Sequence, residues 1–228
     1  MTVKASEYKK HYDEFAQNVA YAARTWHHHV HLNNRAAEDQ VILAALDKAA
    51  RYWLDQRYAA VQTTIIFLGK IFDNDGRVHN VDKTLRAAHE EKEHFSKTEL
   101  RKRKVESGGE FEGLDEYVQN ATEPDSEDFK AISAEVKKAK VIWERIKPLR
   151  DKIYAHNEIL SDAERKALYE AVKNDDITEI LQILLNISEA LWQIEFNGRR
   201  PDFSSNCTKP IEWAKDNVEK LIASLLHA

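Results

Sequence analysis

Arg150 and His156 stand six positions apart in "LRDKIYAHNE", residues 149–158. Arginine offers phosphate a planar fork of donors and keeps its charge at any physiological pH. Histidine gives and takes protons near neutrality. Together they suit cleavage of RNA by attack of a 2′-hydroxyl on the adjacent phosphate. The imidazole moves the proton, and the guanidinium offsets the charge building on the phosphoryl oxygens. Such a reaction needs no metal and no bound cofactor, and none is expected. The geometry is demanding, because a six-residue step turns a side chain about 120° around an ideal helix. Pro148, two residues before Arg150, can distort the segment. A twofold interface would bring two such pairs into one groove. On the residues alone an alternative stays open, in which Arg150 pairs with an acid and His156 packs near a helix end.

The other candidates are weaker. In "HHHVH", residues 27–31, His27 and His31 share a helical face, as zinc ligands can. No HExxH pattern accompanies them and Cys207 is the only cysteine, so a packed or solvated histidine-rich helix end is the expectation. The basic runs "RKRK" (101–104) and "GRRP" (198–201) lack the interleaved aromatics of a base-stacking platform. Acidic residues closely precede the first, which reads as a solvated face. There is no Gly-rich phosphate loop, no G-x-S-x-G elbow and no CxxC pair.

Composition narrows the class further. The chain has 228 residues, 43% hydrophobic and 32% charged, with only six Gly and four Pro. That favours helices over the frequent turns of a sandwich or barrel. A net charge of −5 argues against indiscriminate nucleic-acid binding and requires any such contact to be local. The lone cysteine excludes an intrachain disulfide and fits a reducing, cytoplasmic setting. The N-terminus lacks an apolar core of signal-peptide type, and no stretch approaches roughly 18 uncharged apolar residues. Neither secretion nor a membrane span is expected.

The elements that must position the pair follow from periodicity. A first helix is read over residues 4–27, with a break at Asn33-Asn34. The block from Glu38 to Phe72, apolar on more than one side, reads as one long central helix kinked or ended near Gly69. A charged helix follows from Asn80, then a loose loop with a short turn around Leu114–Val118. From Ser126, Phe129, Ile132, Val136, Ala139, Trp143 and Ile146 step by three and four, which predicts a strong amphipathic helix capped by Asp125 or Ser126 and interrupted at Pro148. "SDAE" (161–164) is a capping box, Asn197-Gly198 closes another core helix, and a last helix spans 210–227. The sum is an all-α bundle of about seven helices in a single domain over residues 1–228.

The stretch "LRDKIYAHNE" resembles the signature of the HEPN superfamily: an arginine, a polar neighbour, a short spacer and a histidine. Taken with the upstream "LDQRYAAVQTTIIFLGKIFD", it is similar to the abortive-infection, AbiU-type branch. The resemblance covers about residues 40–195, with the helices at 4–27 and 210–227 as additions to it. It implies an up-and-down helical core with peripheral helices, and a homodimer whose active cleft lies between the two motifs. It also implies metal-independent endoribonuclease activity on RNA in a prokaryotic defence or toxin–antitoxin setting, with an antitoxin or regulatory protein as a further partner. Carried over by position, Arg150 and His156 are catalytic and Asp151 is the polar neighbour that orients them or contacts the ribose. Lys152, Tyr154 and Asn157 are candidates to line the cleft. Another HEPN subgroup carries a tyrosine two residues after the histidine as a nucleotidylation target. Here Glu158 stands there, so that mode of regulation is not implied. Some members of the superfamily are binding or scaffold domains, and a non-catalytic helical module that holds protein or RNA is the competing expectation.

Overall fold

A computed structural model describes residues 6–75, 77–156 and 158–227. Among these residues there are ten α-helices and no strand: α1 (Glu7–Glu38), α2 (Gln40–Asp47), α3 (Ala50–Ile71), α4 (Val81–Glu90), α5 (Lys97–Gly108), α6 (Leu114–Asn120), α7 (Ser126–Leu149), α8 (Asp162–Glu170), α9 (Asn174–Asn197) and α10 (Lys209–Leu226). A 3-10 turn, Lys92–Phe95, joins α4 to α5. A π-helical turn, Arg150–Ala155, continues α7. The all-α expectation holds, with more and shorter helices than about seven.

The 32-residue α1 is the element the others pack around. Its stripe of Tyr8, Tyr12, Phe15, Val19, Ala22, Ala23 and Trp26 is buried, and α3, α4, α9 and α10 all lie against it. Spacing by three and four puts these side chains on one helical face. Ala22 and Ala23 let neighbouring backbones come close. At the two ends the seams are filled by large rings: Tyr8 meets Phe95 edge-on at 4.8 Å, and the Trp26 indole N–H donates to Thr178 Oγ1 at 2.9 Å. On the other side of the core, α7 packs along α9. A smaller apolar cluster of Ala36, Ile42, Leu46, Val218 and Ile222 ties α1, α2 and α10 together.

Several boundaries depart from the sequence reading, each for a local reason. Asn33-Asn34 does not break α1, because the Asn33 amide donates to the His29 carbonyl at 2.8 Å and is satisfied inside the helix. The helix therefore runs past the expected end at residue 27, and the break comes at Asp39, whose extended backbone lets its carboxylate cap α2 through Val41 N at 2.8 Å. The long block of residues 38–72 is two helices. Ile42 and Leu46 of α2 face α10, whereas Ile65, Leu68 and Ile71 of α3 join the main core. Its apolar residues on more than one side belong to helices with different partners. The charged segment splits likewise, at Phe95, which turns into the core while Ser96 caps α5 through Glu99 N.

Other features stand where the sequence put them. Asp125 caps α7 with a reciprocal bond from its backbone N–H to Asp128, and Ser161 and Glu164 form the capping box of α8. The final helix begins and ends within a residue of the 210–227 expectation.

Gly198 closes α9 in the left-handed region, φ 56°, and its carbonyl accepts from Thr122 N at 2.7 Å. A Cβ there would lie 2.5 Å from Ala121 Cβ and 2.9 Å from Leu100 Cδ2. Gly198→Ala is expected to destabilise the fold by about 2 kcal/mol, read as a lower urea midpoint at unchanged slope. Gly108→Ala, with nothing within 4 Å of the added methyl group, should change stability by no more than about 0.5 kcal/mol.

Candidate active site at a π-helical turn

The segment that holds the arginine–histidine pair is shaped by the end of α7. Its buried stripe continues from Ile146 through Leu149 to Ile153 and Tyr154. Pro148 lies inside the helix instead of interrupting it. It sits on the exposed face, and the carbonyl of Glu144, which loses its partner to the proline, belongs to an exposed residue open to water. The Arg150 N–H reaches both the Ile146 and the Lys147 carbonyls, and from Arg150 to Ala155 the helix widens into a π turn. Such turns insert one extra residue into an α-helix. Here two consecutive side chains, Ile153 and Tyr154, turn inward, and His156 emerges at the end of the turn, exposed to solvent.

Arg150 is held from two directions. Its stem crosses Gly69 of α3 so closely that a Cβ on Gly69 would lie 2.6 Å from Arg150 Nε and 3.2 Å from its Cδ and Cζ. Asp151 Oδ1 accepts from Arg150 Nη1 at 2.7 Å, and Asp151 Oδ2 accepts from Lys147 Nζ at 2.7 Å. Burial pulls the Asp151 carboxyl upward, but Lys147 and Arg150 outweigh it and hold the group below its ordinary value. The anion is thus kept beside the guanidinium. Arg150 Nε is buried with no hydrogen-bond partner, and the side chain is 26% exposed. One edge of the fork is therefore fixed in the protein while part of it reaches solvent.

The remaining motif residues divide. His156 makes no hydrogen bond or ion pair among the described residues, and no contact joins it to Arg150; the two stand at opposite ends of the π turn. The alternative of a histidine packed near the helix end does not fit its exposure, although Arg150 does pair with an acid. Lys152 is exposed. Tyr154 points inward, its ring 5.8 Å from Tyr58 and 6.5 Å from Tyr169, and burial raises its phenol well above the ordinary value. It supports the turn and lines a neighbouring groove. Asn157 lies outside the described residues. Sequence reasoning missed Gly69 as part of the site. A glycine inside an apolar helix, in "FLGKIF", was the available signal of close approach.

The other candidate cations and histidines are engaged elsewhere. Arg103 donates to the Glu195 carbonyl at 2.9 Å and the His94 carbonyl at 2.7 Å, Lys104 reaches Asn197 at 3.1 Å, and Arg101 pairs with Asp115 at 3.0 Å. "RKRK" is thus a clamp on the C-terminal end of α9, where cations complement the helix dipole. Arg200 of "GRRP" binds Asp125 and Asp128 at the start of α7. In the histidine run, His31 Nε2 lies 2.7 Å from Glu219 of α10, while His27 is buried against the core. Among the described residues no three His, Cys, Asp or Glu side chains are arranged to hold a metal ion. No helix among them is long and apolar enough to cross a membrane.

Burial first, then Lys215 and His28, push the His27 imidazole down to about 4. A histidine depressed below its ordinary value of about 6.5 stabilises the fold fully above that pH, and the contribution is lost as pH falls towards the folded value. His27→Leu should therefore remove up to about 3 kcal/mol of the stability lost between roughly pH 6.5 and 4, measured by urea denaturation across that window.

Comparison with known proteins agrees with the family resemblance. A family model described as AbiU2 (HEPN_AbiU2) matches residues 5–207. The match takes in the N-terminal helix, which the sequence resemblance had set aside. Among curated proteins and among solved structures, none matches. With nearly the whole chain covered by that one model, this protein belongs to the HEPN_AbiU2 family.

Proposed function

We propose that the protein is a metal-independent endoribonuclease of a prokaryotic defence or toxin–antitoxin system, acting in the cytoplasm as a homodimer. The observation that carries this reading is the way Arg150 is seated over Gly69 and braced by Asp151 while His156 stands free in solvent at the far end of the same turn. Among the described residues His156 has no partner, so its imidazole is accessible for proton transfer. Within one chain the two groups do not touch, so a second copy is needed to bring a histidine to the phosphate that an arginine holds.

In such a composite cleft, one neutral His156 takes the proton of the 2′-hydroxyl. The 2′-oxygen attacks phosphorus, a 2′-O–P bond forms and the P–O5′ bond breaks. A protonated histidine gives the departing 5′-oxygen its proton. Arg150 offsets the extra charge on the phosphoryl oxygens, and its fork matches their geometry. Asp151 fixes the arginine's angle. Lys152, exposed next to it, adds positive charge at the mouth of the cleft. An antitoxin or regulatory protein that covers this cleft belongs to the same reading.

Purified protein should cut RNA in the presence of a chelator and leave 2′,3′-cyclic phosphate and 5′-hydroxyl ends. His156→Ala and Arg150→Ala should each lower the rate by about 10²-fold or more while the proteins stay folded. Gly69→Ala should lower it at least about tenfold, because the methyl group displaces the flexible arginine and not the backbone. Its stability should hold within about 1 kcal/mol, since alanine is the better helix former. Full cleavage by His156→Ala would sink the proposal. An inert wild-type dimer that still binds RNA or protein would favour the non-catalytic module instead.

A further inference from the structure

We propose that the groove along α3 binds a fatty acid, its carboxylate on Arg57 and its alkyl chain against the apolar walls to either side. Two adjoining cavities, about 570 and 460 Å³, meet at His29 and Arg57, which stand on the walls of both. The first lies between α1, α3 and α10, where Leu32, Leu46, Trp53 and Leu221 face it. The second runs from α3 towards α9 and reaches the π turn at Leu149 and Tyr154, with Leu54 and Val61 on its α3 side. Each falls within the size range of small-ligand sites.

The charge on those walls decides the ligand. The chain has 39 Asp and Glu residues, yet among the described residues neither cavity is lined by one. Arg57 is the one Lys or Arg on either wall, and it makes no ion pair or hydrogen bond among the described residues. The nearest acid along the helix, Asp55, is paired with Arg51 at 3.3 Å. Burial, then Arg24 at His28 and Arg57 at His29, lowers both imidazoles, so near neutrality they carry no charge. The groove thus offers a single positive charge between two apolar chambers. A neutral hydrocarbon leaves that charge unanswered, and a cation is repelled by it. A phosphate monoester brings nearly two negative charges to one guanidinium. A carboxylate matches the fork in both charge and shape. Leu54 and Tyr58 leave just over half of their surface in water along the same helix, apolar area that an alkyl chain covers.

The inference does not rest on cleavage at Arg150 and His156. Binding of decanoate, dodecanoate and tetradecanoate, each below its critical micelle concentration, is measured by calorimetry on the full chain. Saturable one-to-one binding is expected, tightening by up to about fourfold for each added methylene. Dodecanol and dodecyltrimethylammonium, which keep the chain and change the head group, should bind at least about tenfold more weakly than dodecanoate. Arg57→Gln, a change at an exposed position that leaves the core intact, should weaken dodecanoate by a similar factor. Arg51→Gln, on the same helix but on neither wall, should leave its affinity within about twofold. Absence of saturable binding, equal affinity for dodecanol, or unchanged affinity in Arg57→Gln overturns the inference. Wild-type protein that binds dodecanoate but never cuts RNA refutes the ribonuclease reading and leaves this one standing.

Discussion

Most of the molecule depends on covering one apolar stripe. α1 presents Tyr8, Tyr12, Phe15, Val19, Ala22, Ala23 and Trp26 along more than five turns, and leaving them in water would cost roughly 1.5–3 kcal/mol for each large side chain. No single neighbour is wide enough to bury them. α3, α4, α9 and α10 are therefore drawn around the same helix, and α7 closes the layer by packing along α9. The candidate active site is a consequence of that arrangement. Where α3 passes under the end of α7, Gly69 gives the room that Arg150 occupies. A Cβ at that crossing would meet the arginine side chain first.

The electrostatics follow a similar economy. The protein carries a net charge of −5, and its densest basic runs serve its own helix ends. Arg103 and Lys104 neutralise the carbonyl end of α9, and Arg200 answers the acidic start of α7. Outside those runs, Arg150 is partly exposed and held beside Asp151. Four residues beyond it, the ring of Tyr154 sits against Tyr58. A chain with such a surface does not attract polyanions broadly.

Local rules carried a large part of the fold into the sequence. Apolar spacing marked the stripes of α1, α7 and α9, and short side chains that bond their own backbone marked the starts of α7 and α8 at Asp125 and Ser161. Those interactions span three or four residues, so they are readable from order alone. The breaks at Ala49 and Phe95 were not readable, because each is decided by which distant helix an apolar residue meets. Asn33 misled for the opposite reason: its amide is satisfied within the helix.

The sequence by itself determined an all-helical chain with an arginine–histidine pair just beyond a proline. It also determined the chemistry those two side chains can perform, since charge and proton affinity travel with residue type. Only the tertiary structure decided how they are presented. The π turn adds a residue, sends Ile153 and Tyr154 into the core and leaves His156 in solvent. Gly69, eighty-one positions earlier, receives the arginine. An i to i+6 spacing cannot reveal this, because the outcome is set by the space between two helices that sequence order does not place side by side.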